Sequence, residues 1–350
     1  MSAEQAAQLR MISESAAGFA AAQGGTARAR QVHEGAPVWE AASCKRMADL
    51  GWLGIAVPEA AGGLALGAPA ICVVAEEAGR ALMTLPLTMG MAAASVLAAG
   101  HGVPAAQEAL QALMAGERHI ALGTATVGPD GAVTARLVPD GDAAQQLLVA
   151  IGDGSDFDAR LMPVDQPGIA RHARTAVDGS QLVDVTIERA AWADAPRVLS
   201  GVAGRLAWQR GTHLLWLGDA AYQCGLMDAA LRLALDYLRL RRQFGVPIGS
   251  FQALQHRATA CHVDATATRA LVHEAARAFG GEREAWAAAA AVHRAAAAAL
   301  RLTKEVVQFH GAIGFADEHD AGLYLRRAMT IGARHAADAL ASLQPKATPD

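Results

Sequence analysis

Apolar residues recur at helical spacing through the first third of the chain. This pattern predicts helices over residues 3–22, 37–50, 69–83, 87–100 and 104–115. Between the second and third of them lies the apolar segment GWLGIAVPEAAGGLALG (51–67), which is interrupted by five glycines and a proline. Such punctuation indicates a folded connection rather than a long helix. The sequence therefore predicts a helical N-terminal domain over residues 1–117.

Near residue 118 the pattern changes to short apolar runs of the kind that form strands. The runs are IALGTATV, AVTARLV, QLLVAI, ARLMPV and LVDVTIERAAW, all between His119 and Trp192. Turn sequences rich in Gly, Pro and Asp separate them, for example Gly128-Pro129-Asp130-Gly131. Short strands at this spacing are typical of a β-barrel or β-sandwich. We predict a small middle β domain over residues 118–196.

Helical periodicity returns after Ala195-Pro196 and continues almost to the end of the chain. It predicts four long helices, over residues 198–242, 247–279, 283–310 and 318–343. The connections between them are short and rich in Gly, which suits antiparallel neighbours in a bundle. We therefore predict an α+β fold, in which the N-terminal helical domain and the β domain precede a C-terminal four-helix bundle domain over residues 197–350.

The composition is that of a well-packed protein and narrows the choice of partners. Hydrophobic residues make up 53% and charged residues 18% of the 350 residues, so a large core can form. The formal net charge of -4 gives no reason to expect nucleic acid or an anionic membrane as a partner. Four scattered cysteines without CxxC pairing favour a reduced, cytoplasmic protein. No apolar run has transmembrane length, and we expect neither a membrane span nor a signal peptide.

Two common kinds of site find no support in the sequence. The histidines lack an HExxH motif or paired cysteines, so we predict no metal site. No Gly-x-Ser-x-Gly elbow indicates a hydrolase.

One stretch at the end of the first long bundle helix combines side chains suited to a ligand. In YLRLRRQFGVPIGSFQALQ (237–255), Arg241 is followed by a tight turn at Phe244-Gly245-Val246-Pro247 and then by Ile248 and Gln252. Such a turn can offer a guanidinium to a phosphate, an aromatic edge to a flat ring and an amide to a heterocycle. A simpler interpretation of Arg241 is a solvated cation near a helix C-terminus.

A second stretch, QFHGAIG (308–314), accompanies the first on the next helix but one. Its glycines let backbone N–H groups come close to a ligand, because no Cβ intervenes. Gln308 and Gly311 also fit a plain helix stop with a glycine C-cap.

Taken together, these segments resemble the acyl-CoA dehydrogenase family over most of the chain. Segment 51–67 is similar to the family's Gly-Trp-x-Gly…Val-Pro-Glu…Gly-Gly connection. Segment 241–252 is similar to its Arg-x-Gln-Phe-Gly…Phe-Gln stretch, and segment 308–326 to its Gln-x-x-Gly-Gly-x-Gly…Arg stretch. The resemblance implies a flavoprotein in which FAD lies between the β domain and the C-terminal bundle. It also implies a homo-oligomer or a hetero-oligomer with a second chain of the family, because a neighbouring subunit completes the site.

The resemblance also assigns the cofactor-binding residues. Carried over by position, they are Arg241, Phe244, Ile248, Gln252, Gln308, Gly311 and Gly314. The guanidinium would contact the FAD pyrophosphate through paired charge-assisted bonds, and the next three residues would lie at the adenosine end. The last three would approach the same cofactor from the other subunit.

The implied reaction is the α,β-dehydrogenation of an acyl-CoA thioester, for which a base must take the α proton. The family's usual base is a Glu about nine residues after the arginine that Arg326 matches, and His335 stands at that position here. Some members carry the Glu early in the first bundle helix, where this chain has Leu215, with Asp219 as the nearest acid. In the β domain, IALGTATVGPDG replaces the family's Thr-Glu-Pro…Gly-Ser-Asp loop, which contacts the flavin.

Three hypotheses remain open at this point. The chain is an active dehydrogenase with His335 as its base, since a neutral imidazole with a pKa near ~6.5 is a competent base. Alternatively, it is the catalytically silent, FAD-binding half of a mixed oligomer whose partner supplies the Glu, as among dehydrogenases of steroid side-chain CoA esters. In the third hypothesis it is a binding protein that kept the fold and lost the flavin. A surface or interface histidine is the simpler interpretation of His335.

Overall fold

The structure, a computed structural model, describes residues 3–343 and divides the chain into two compact units. The helical unit contains residues 3–31, 68–83 and 216–343. The sheet unit contains residues 32–67 and 84–215. The division into three domains at residues 117 and 196 stays a prediction.

From residue 3 onward, where the described part of the chain begins, six α-helices precede the sheet, which confirms the predicted N-terminal helices. They are α1 (Ala3–Ala21), α2 (Gly25–His33), α3 (Ala41–Asp49), α4 (Gly67–Arg80), α5 (Leu87–Ala99) and α6 (Pro104–Met114). The pattern missed α2, because the Gly24-Gly25 pair that ends α1 is followed at once by a new helix. The connection before α4 folds into two 3-10 turns, and Gly63 lies so close to Val57 that a Cβ there would be 2.2 Å from its carbonyl oxygen.

The middle of the chain forms one seven-stranded mixed sheet. Its strands are β1 (Ile120–Val127), β2 (Val133–Pro139), β3 (Gln146–Ile151), β4 (Asp158–Pro163), β5 (Ile169–Thr175), β6 (Gln181–Ile187) and β7 (Arg197–Ser200). Their order across the sheet is β5-β6-β2-β1-β3-β4-β7. The first part of β1 pairs parallel to β3 and its last part pairs antiparallel to β2. All other pairs in this sheet are antiparallel.

Alternate residues along the strands enter two separate cores of the sheet unit. Leu147 and Val149 on β3 pack with β2 and β6, whereas Leu148 and Ala150 pack with α5 and α6. This division follows from the pleat, which turns successive side chains to opposite faces. Because both faces of β3 are buried, it reads in sequence as an unbroken apolar run.

The sequence pattern predicted one element of the sheet unit incorrectly and did not predict two others. The run 182–192 is not one strand, because β6 ends at Ile187 and a short helix, α7 (Arg189–Asp194), follows. The guanidinium of Arg160 donates to the carbonyl of Trp192 at 2.9 Å and lies 5.4 Å above its ring, so tertiary contacts hold α7. Neither β5 nor β7 was predicted: β5 is exposed along nearly its whole length and so lacks apolar alternation, and β7 has four residues.

Up to residue 343, the last that the structure describes, five helices follow the sheet. They are α8 (Gly201–Leu240), α9 (Gln252–Arg277), α10 (Glu284–His310), α11 (Ala321–Arg334) and α12 (Ala336–Leu343). The prediction of a single helix over 318–343 is wrong, because His335 leaves the helical conformation (φ −121°, ψ 3°) between α11 and α12. Its ring is hydrogen-bonded to Asp219 on α8, and the local sequence pattern could not predict this contact. Among residues 3–343 no helix is long and apolar enough to cross a bilayer.

Glycines bring two helices of the helical unit into backbone contact. A Cβ on Gly225 of α8 would lie 1.8 Å from the carbonyl oxygen of Glu76, and one on Gly79 of α4 would lie 1.9 Å from that of Tyr222. Neither helix can therefore accept a side chain at this crossing without moving.

An ion network lies beside the crossing and joins α4 to α8 and α9. Glu76 accepts from Arg80 at 2.9 Å and from Arg269 at 2.9 Å, and Arg269 also pairs with Asp228. Burial alone would raise the pKa of Glu76, but the bond from His273 and the two guanidinium charges lower it. The network thus stays ionised at neutral pH and stabilises α8, the helix that ends at the candidate site.

We expect Gly225→Ala to lower the free energy of unfolding by at least about 3 kcal/mol, because the new methyl group meets a backbone carbonyl and the two helices must separate. Gly18→Ala in α1 is the matched control, since no atom lies within 4 Å of a Cβ there. That substitution should stabilise the protein slightly, by up to about 1 kcal/mol. Urea unfolding of both variants checks the prediction, and equal midpoints would contradict the close crossing.

Candidate cofactor-binding and catalytic site

The chain reverses direction directly after α8 in a two-residue hairpin. Its strands are β8 (Arg242–Gln243) and β9 (Val246–Pro247), and the N–H of Ile248 donates to the carbonyl of Arg241 at 2.8 Å. The turn residues Phe244 and Gly245 have φ of 54° and 81°, as a type I′ turn requires. A phenylalanine in the left-handed region is strained. The fold therefore holds the ring of Phe244 at the hairpin tip against its own backbone preference.

The hairpin leaves several apolar side chains uncovered. Phe244 is 91% exposed and Leu240 is 80% exposed. The ring of Phe251 meets that of Phe244 edge-on, with 6.2 Å between centroids. An exposed apolar patch of this kind marks a surface that binds a ligand or another protein.

Among the arginines at the end of α8, Arg241 is the one available to a ligand. Arg239 pairs with Asp236 at 3.1 Å, and Arg242 donates to the carbonyl of Gly245 at 2.9 Å. Arg241 is exposed, and within residues 3–343 its guanidinium makes no hydrogen bond or ion pair. The sequence predicted a cation here for a phosphate, and the structure leaves that cation accessible.

Ile248 and Gln252 follow the hairpin on the same end of the helical unit. Ile248 is half-buried and opens a short 3-10 turn, while Gln252 is the exposed first residue of α9. A Cβ on Gly249 would lie 2.9 Å from the carbonyl oxygen of Leu238, so this turn is packed directly on the end of α8.

The second predicted stretch caps α10. The N–H of Gly311 donates to the carbonyl of Gln308, and Gly311 itself has φ 63° and ψ −140°. The glycine C-cap predicted from the sequence is therefore present, and the side chain of Gln308 is exposed. Gly314 is buried, and a Cβ there would lie 2.5 Å from the carbonyl oxygen of Val307. By contrast, a Cβ on Gly311 would meet no atom within 4 Å, so the backbone at Gly311 faces open space.

A cluster of rings connects the two stretches. The centroid of His310 lies 4.6 Å from that of Tyr237, one turn before Arg241, and 4.4 Å from that of His319. The Nδ1 of His310 lies 2.7 Å from the carbonyl oxygen of Val306. Burial lowers the pKa of His310, so its imidazole is neutral at pH 7 and donates from Nδ1. The ends of α8 and α10 thus lie side by side.

The third predicted feature is His335, and it is buried. His335 is 7% exposed and Asp219 is 1% exposed. Nε2 of His335 lies 2.8 Å from Oδ2 of Asp219. The ring of Trp216 lies 6.4 Å away, centroid to centroid, and Nη1 of Arg334 lies 3.8 Å from the same Oδ2. The sequence pointed to His335 as a base and named Asp219 only as the acid nearest to Leu215, and the structure pairs these two residues.

Two clefts lie near these helices, and one of them contains a predicted residue. His335 lines a mostly apolar cleft of about 440 Å³ between α10 and α11–α12, with Lys304 and His293 as its other polar groups. A cleft of about 870 Å³ between α9 and α10 contains none of the predicted residues. Its arginines pair with Asp264 and Glu305.

Within the sheet unit, considered by itself, two exposed hydroxyls lie on β1 that the sequence pattern did not identify. Thr124 and Thr126 lie on the exposed face of β1, on either side of buried Ala125, in the segment that replaces the family's flavin-contacting loop. The turn after β1 is closed by the N–H of Gly128, which donates to the carbonyl of Ala132 at 2.8 Å. The polar–apolar–polar alternation Thr124-Ala125-Thr126 was the signal that could have identified these threonines.

The chemistry of these groups fits the FAD that the resemblance names. Arg241 offers an accessible guanidinium, Phe244 an accessible ring, and Gln252 and Gln308 two accessible amides. These are the donors and the flat apolar surface that a pyrophosphate and an adenine need.

Comparison with known sequences identifies the family. Residues 6–117 match the acyl-CoA dehydrogenase N-terminal domain, and residues 204–333 match the acyl-CoA dehydrogenase C-terminal domain. The chain is 31% identical over 294 residues to acyl-CoA dehydrogenase FadE34 of Mycobacterium tuberculosis, a match that covers 82% of this chain and 39% of FadE34. It thus spans less than half the length of that relative. It is 30% identical over 285 residues to acyl-CoA dehydrogenase IpdE2 of Mycolicibacterium smegmatis, covering 80% of this chain and 78% of IpdE2.

Solved structures agree with the sequence matches. The Tcur3481-Tcur3483 steroid ACAD G363A variant is similar with a TM-score of 0.83 at 25% identity, over 97% of both chains. The ChsE4-ChsE5 complex from Mycobacterium tuberculosis has a TM-score of 0.82 at 22% identity, over 98% of this chain and 96% of the other. The predicted α+β fold and family resemblance are thereby confirmed. The chain belongs to the acyl-CoA dehydrogenase family, whose members use FAD to oxidise CH–CH groups of acyl-CoA thioesters.

Proposed function

We propose that this chain binds FAD at the joined ends of α8 and α10 and catalyses the α,β-dehydrogenation of an acyl-CoA thioester. The observation that carries the proposal is the His335–Asp219 pair. At the position of the family's base stands an imidazole that is bonded to a buried carboxylate at 2.8 Å. A carboxylate partner of this kind makes an imidazole an effective proton acceptor.

In this proposal the helix ends hold the cofactor. Arg241 would form paired charge-assisted bonds to the pyrophosphate, and Phe244, Ile248 and Gln252 would contact the adenosine. Gln308 and the open backbone at Gly311 would approach a cofactor shared with a second chain, and Gly314 would permit the close packing of the turn behind them. The exposed apolar side chains of the hairpin support the presence of that second chain, since a monomer would leave them in water.

The chemical step needs one base and one hydride acceptor. His335 takes the α proton of the thioester, and the two electrons of that C–H bond become the new C=C bond. The chemistry that bound FAD would supply is acceptance of the hydride from the β carbon. Hydrogen bonds to the thioester oxygen must stabilise the enolate character that develops as the proton leaves.

Anaerobic mixing of the FAD-loaded chain with a series of acyl-CoA thioesters tests the proposal. Loss of the yellow flavin absorbance, in proportion to added thioester, is the expected result. If no acyl-CoA bleaches the flavin of the lone chain, the chain is not a dehydrogenase by itself.

A second candidate function is the silent, FAD-binding half of a mixed assembly. It is favoured by the absence of a glutamate at either base position and by the burial of His335. The similarity to the ChsE4-ChsE5 complex, which pairs two different chains, points the same way. In this function Arg241 and Gln308 would bind the adenosine side of the cofactor, and a glutamate of the other chain would accept the α proton of the thioester.

Co-expression with a family member that carries the glutamate separates the two functions. Turnover that appears only in the mixed assembly and disappears when the partner's glutamate is changed to Gln would establish the silent role. Absence of flavin from the lone chain and from the mixed assembly would instead favour a flavin-free binding protein.

A further inference from the structure

We infer that Asp219 is a positioning residue that fixes the tautomer and the orientation of His335, so that Nδ1 is the atom that accepts the α proton. The inference rests on the proposed function and adds the means by which an imidazole replaces the family's carboxylate. It starts from the 2.8 Å contact between Nε2 of His335 and Oδ2 of Asp219.

The charges around Asp219 determine which ring nitrogen carries the proton. Asp219 is 1% exposed, and Nη1 of Arg334 lies 3.8 Å from its Oδ2, so a cation stabilises the ionised carboxylate. An ionised carboxylate only accepts hydrogen bonds. Nε2 of His335 must therefore carry the proton, and a neutral imidazole then has its lone pair on Nδ1.

Packing keeps the ring in that orientation. Trp216, which is 3% exposed, lies 6.4 Å from the imidazole centroid with the planes tilted by 52°. The backbone of His335 leaves the helix between α11 and α12, which lets the ring turn toward α8. Within residues 3–343 Nδ1 makes no hydrogen bond, and the ring lines the cleft of about 440 Å³. Nδ1 of His335 is therefore available to accept a proton from a substrate.

The carboxylate of Asp219 attracts the ring of His335 more strongly once that ring is an imidazolium. When Nδ1 takes the α proton, the ring becomes positive at 2.8 Å from a negative oxygen. That attraction is stronger in a buried site than in water. Asp219 therefore stabilises the protonated state of His335 without touching the substrate.

The first test measures the tautomer directly and needs no substrate. In the FAD-loaded chain labelled with ¹⁵N-histidine, the His335 resonances are assigned by their loss in His335→Gln. We expect the neutral ring to carry its proton on Nε2. A proton on Nδ1, or an even mixture of the two forms, would overturn the inference.

The second test measures the kinetic consequence with Asp219→Asn. The asparagine keeps the shape but removes the charge, and its amide N–H can donate to Nε2 and force the proton onto Nδ1. We expect kcat to fall by about 10²–10⁴-fold with KM and FAD content unchanged. Asp338→Asn on exposed α12 is the matched control and should behave as wild type.

The outcomes separate this inference from the proposed function. A wild-type rate in Asp219→Asn contradicts the positioning role while leaving dehydrogenation intact. A lone chain that oxidises no acyl-CoA, yet shows the Nε2–H tautomer in wild type and loses it in Asp219→Asn, refutes the proposed function and retains Asp219 as the residue that sets the ring.

Discussion

Changing His335 to glutamine should lower the kcat of the FAD-loaded chain by about 10³-fold, within the 10²–10⁴ range of general-base catalysis, without loss of FAD. Glutamine fills much of the same space and can donate to Asp219, but it has no lone pair basic enough for an α proton. The change should act on kcat rather than on KM, because the base works in the transition state more than in substrate binding.

The control for this variant is His293→Gln, an exposed histidine that lines the same cleft as His335. It should retain the wild-type kcat. Stopped-flow measurement of flavin reduction compares the two variants. If His335→Gln reduces its flavin at the wild-type rate, the imidazole is not the base, and a partner glutamate becomes the better explanation of any turnover.

Changing Arg241 to alanine should weaken FAD binding by about 10–100-fold, because charge-assisted hydrogen bonds contribute roughly 1.5–3 kcal/mol. The loss should shrink at high salt, since the side chain is exposed and screened by ions. Arg241→Lys should recover part of the affinity, because an ammonium keeps the charge but not the paired geometry. Quenching of flavin fluorescence gives the dissociation constant for each variant.

Arg239→Ala is the matched control for Arg241. It lies two residues earlier in the chain, and its guanidinium pairs with Asp236 at 3.1 Å. We expect its FAD affinity to equal that of wild type. Equal losses in both variants would mean that general positive charge, and not a contact from Arg241, attracts the cofactor.

Much of the fold could be predicted from the periodicity of single segments. The helices before and after the sheet follow a helical apolar pattern, and most strands follow a strand pattern between turn residues. The incorrect predictions have two physical causes. Strand β5 is exposed on both faces, so burial imposed no alternation on it. The break at His335 has neither Gly nor Pro to mark it, and it depends on a contact with a residue 116 positions away.

The candidate site was predictable where its residues are close in sequence. The hairpin of Phe244-Gly245 and the cap at Gly311 were visible as turn and cap chemistry, and the structure has both. Pairing of His335 with Asp219 was not visible, because two helices must fold together before the side chains meet. The roles of these residues in cofactor binding and catalysis remain predictions that the variants above address.

Titration of the flavin-stripped chain with FAD, alone and together with a glutamate-bearing family partner, is the measurement on which the proposed function most depends. We predict saturable binding that quenches flavin fluorescence and that weakens in Arg241→Ala but not in Arg239→Ala. An absence of FAD binding under both conditions would contradict it, and the exposed helix ends would then serve protein contacts alone.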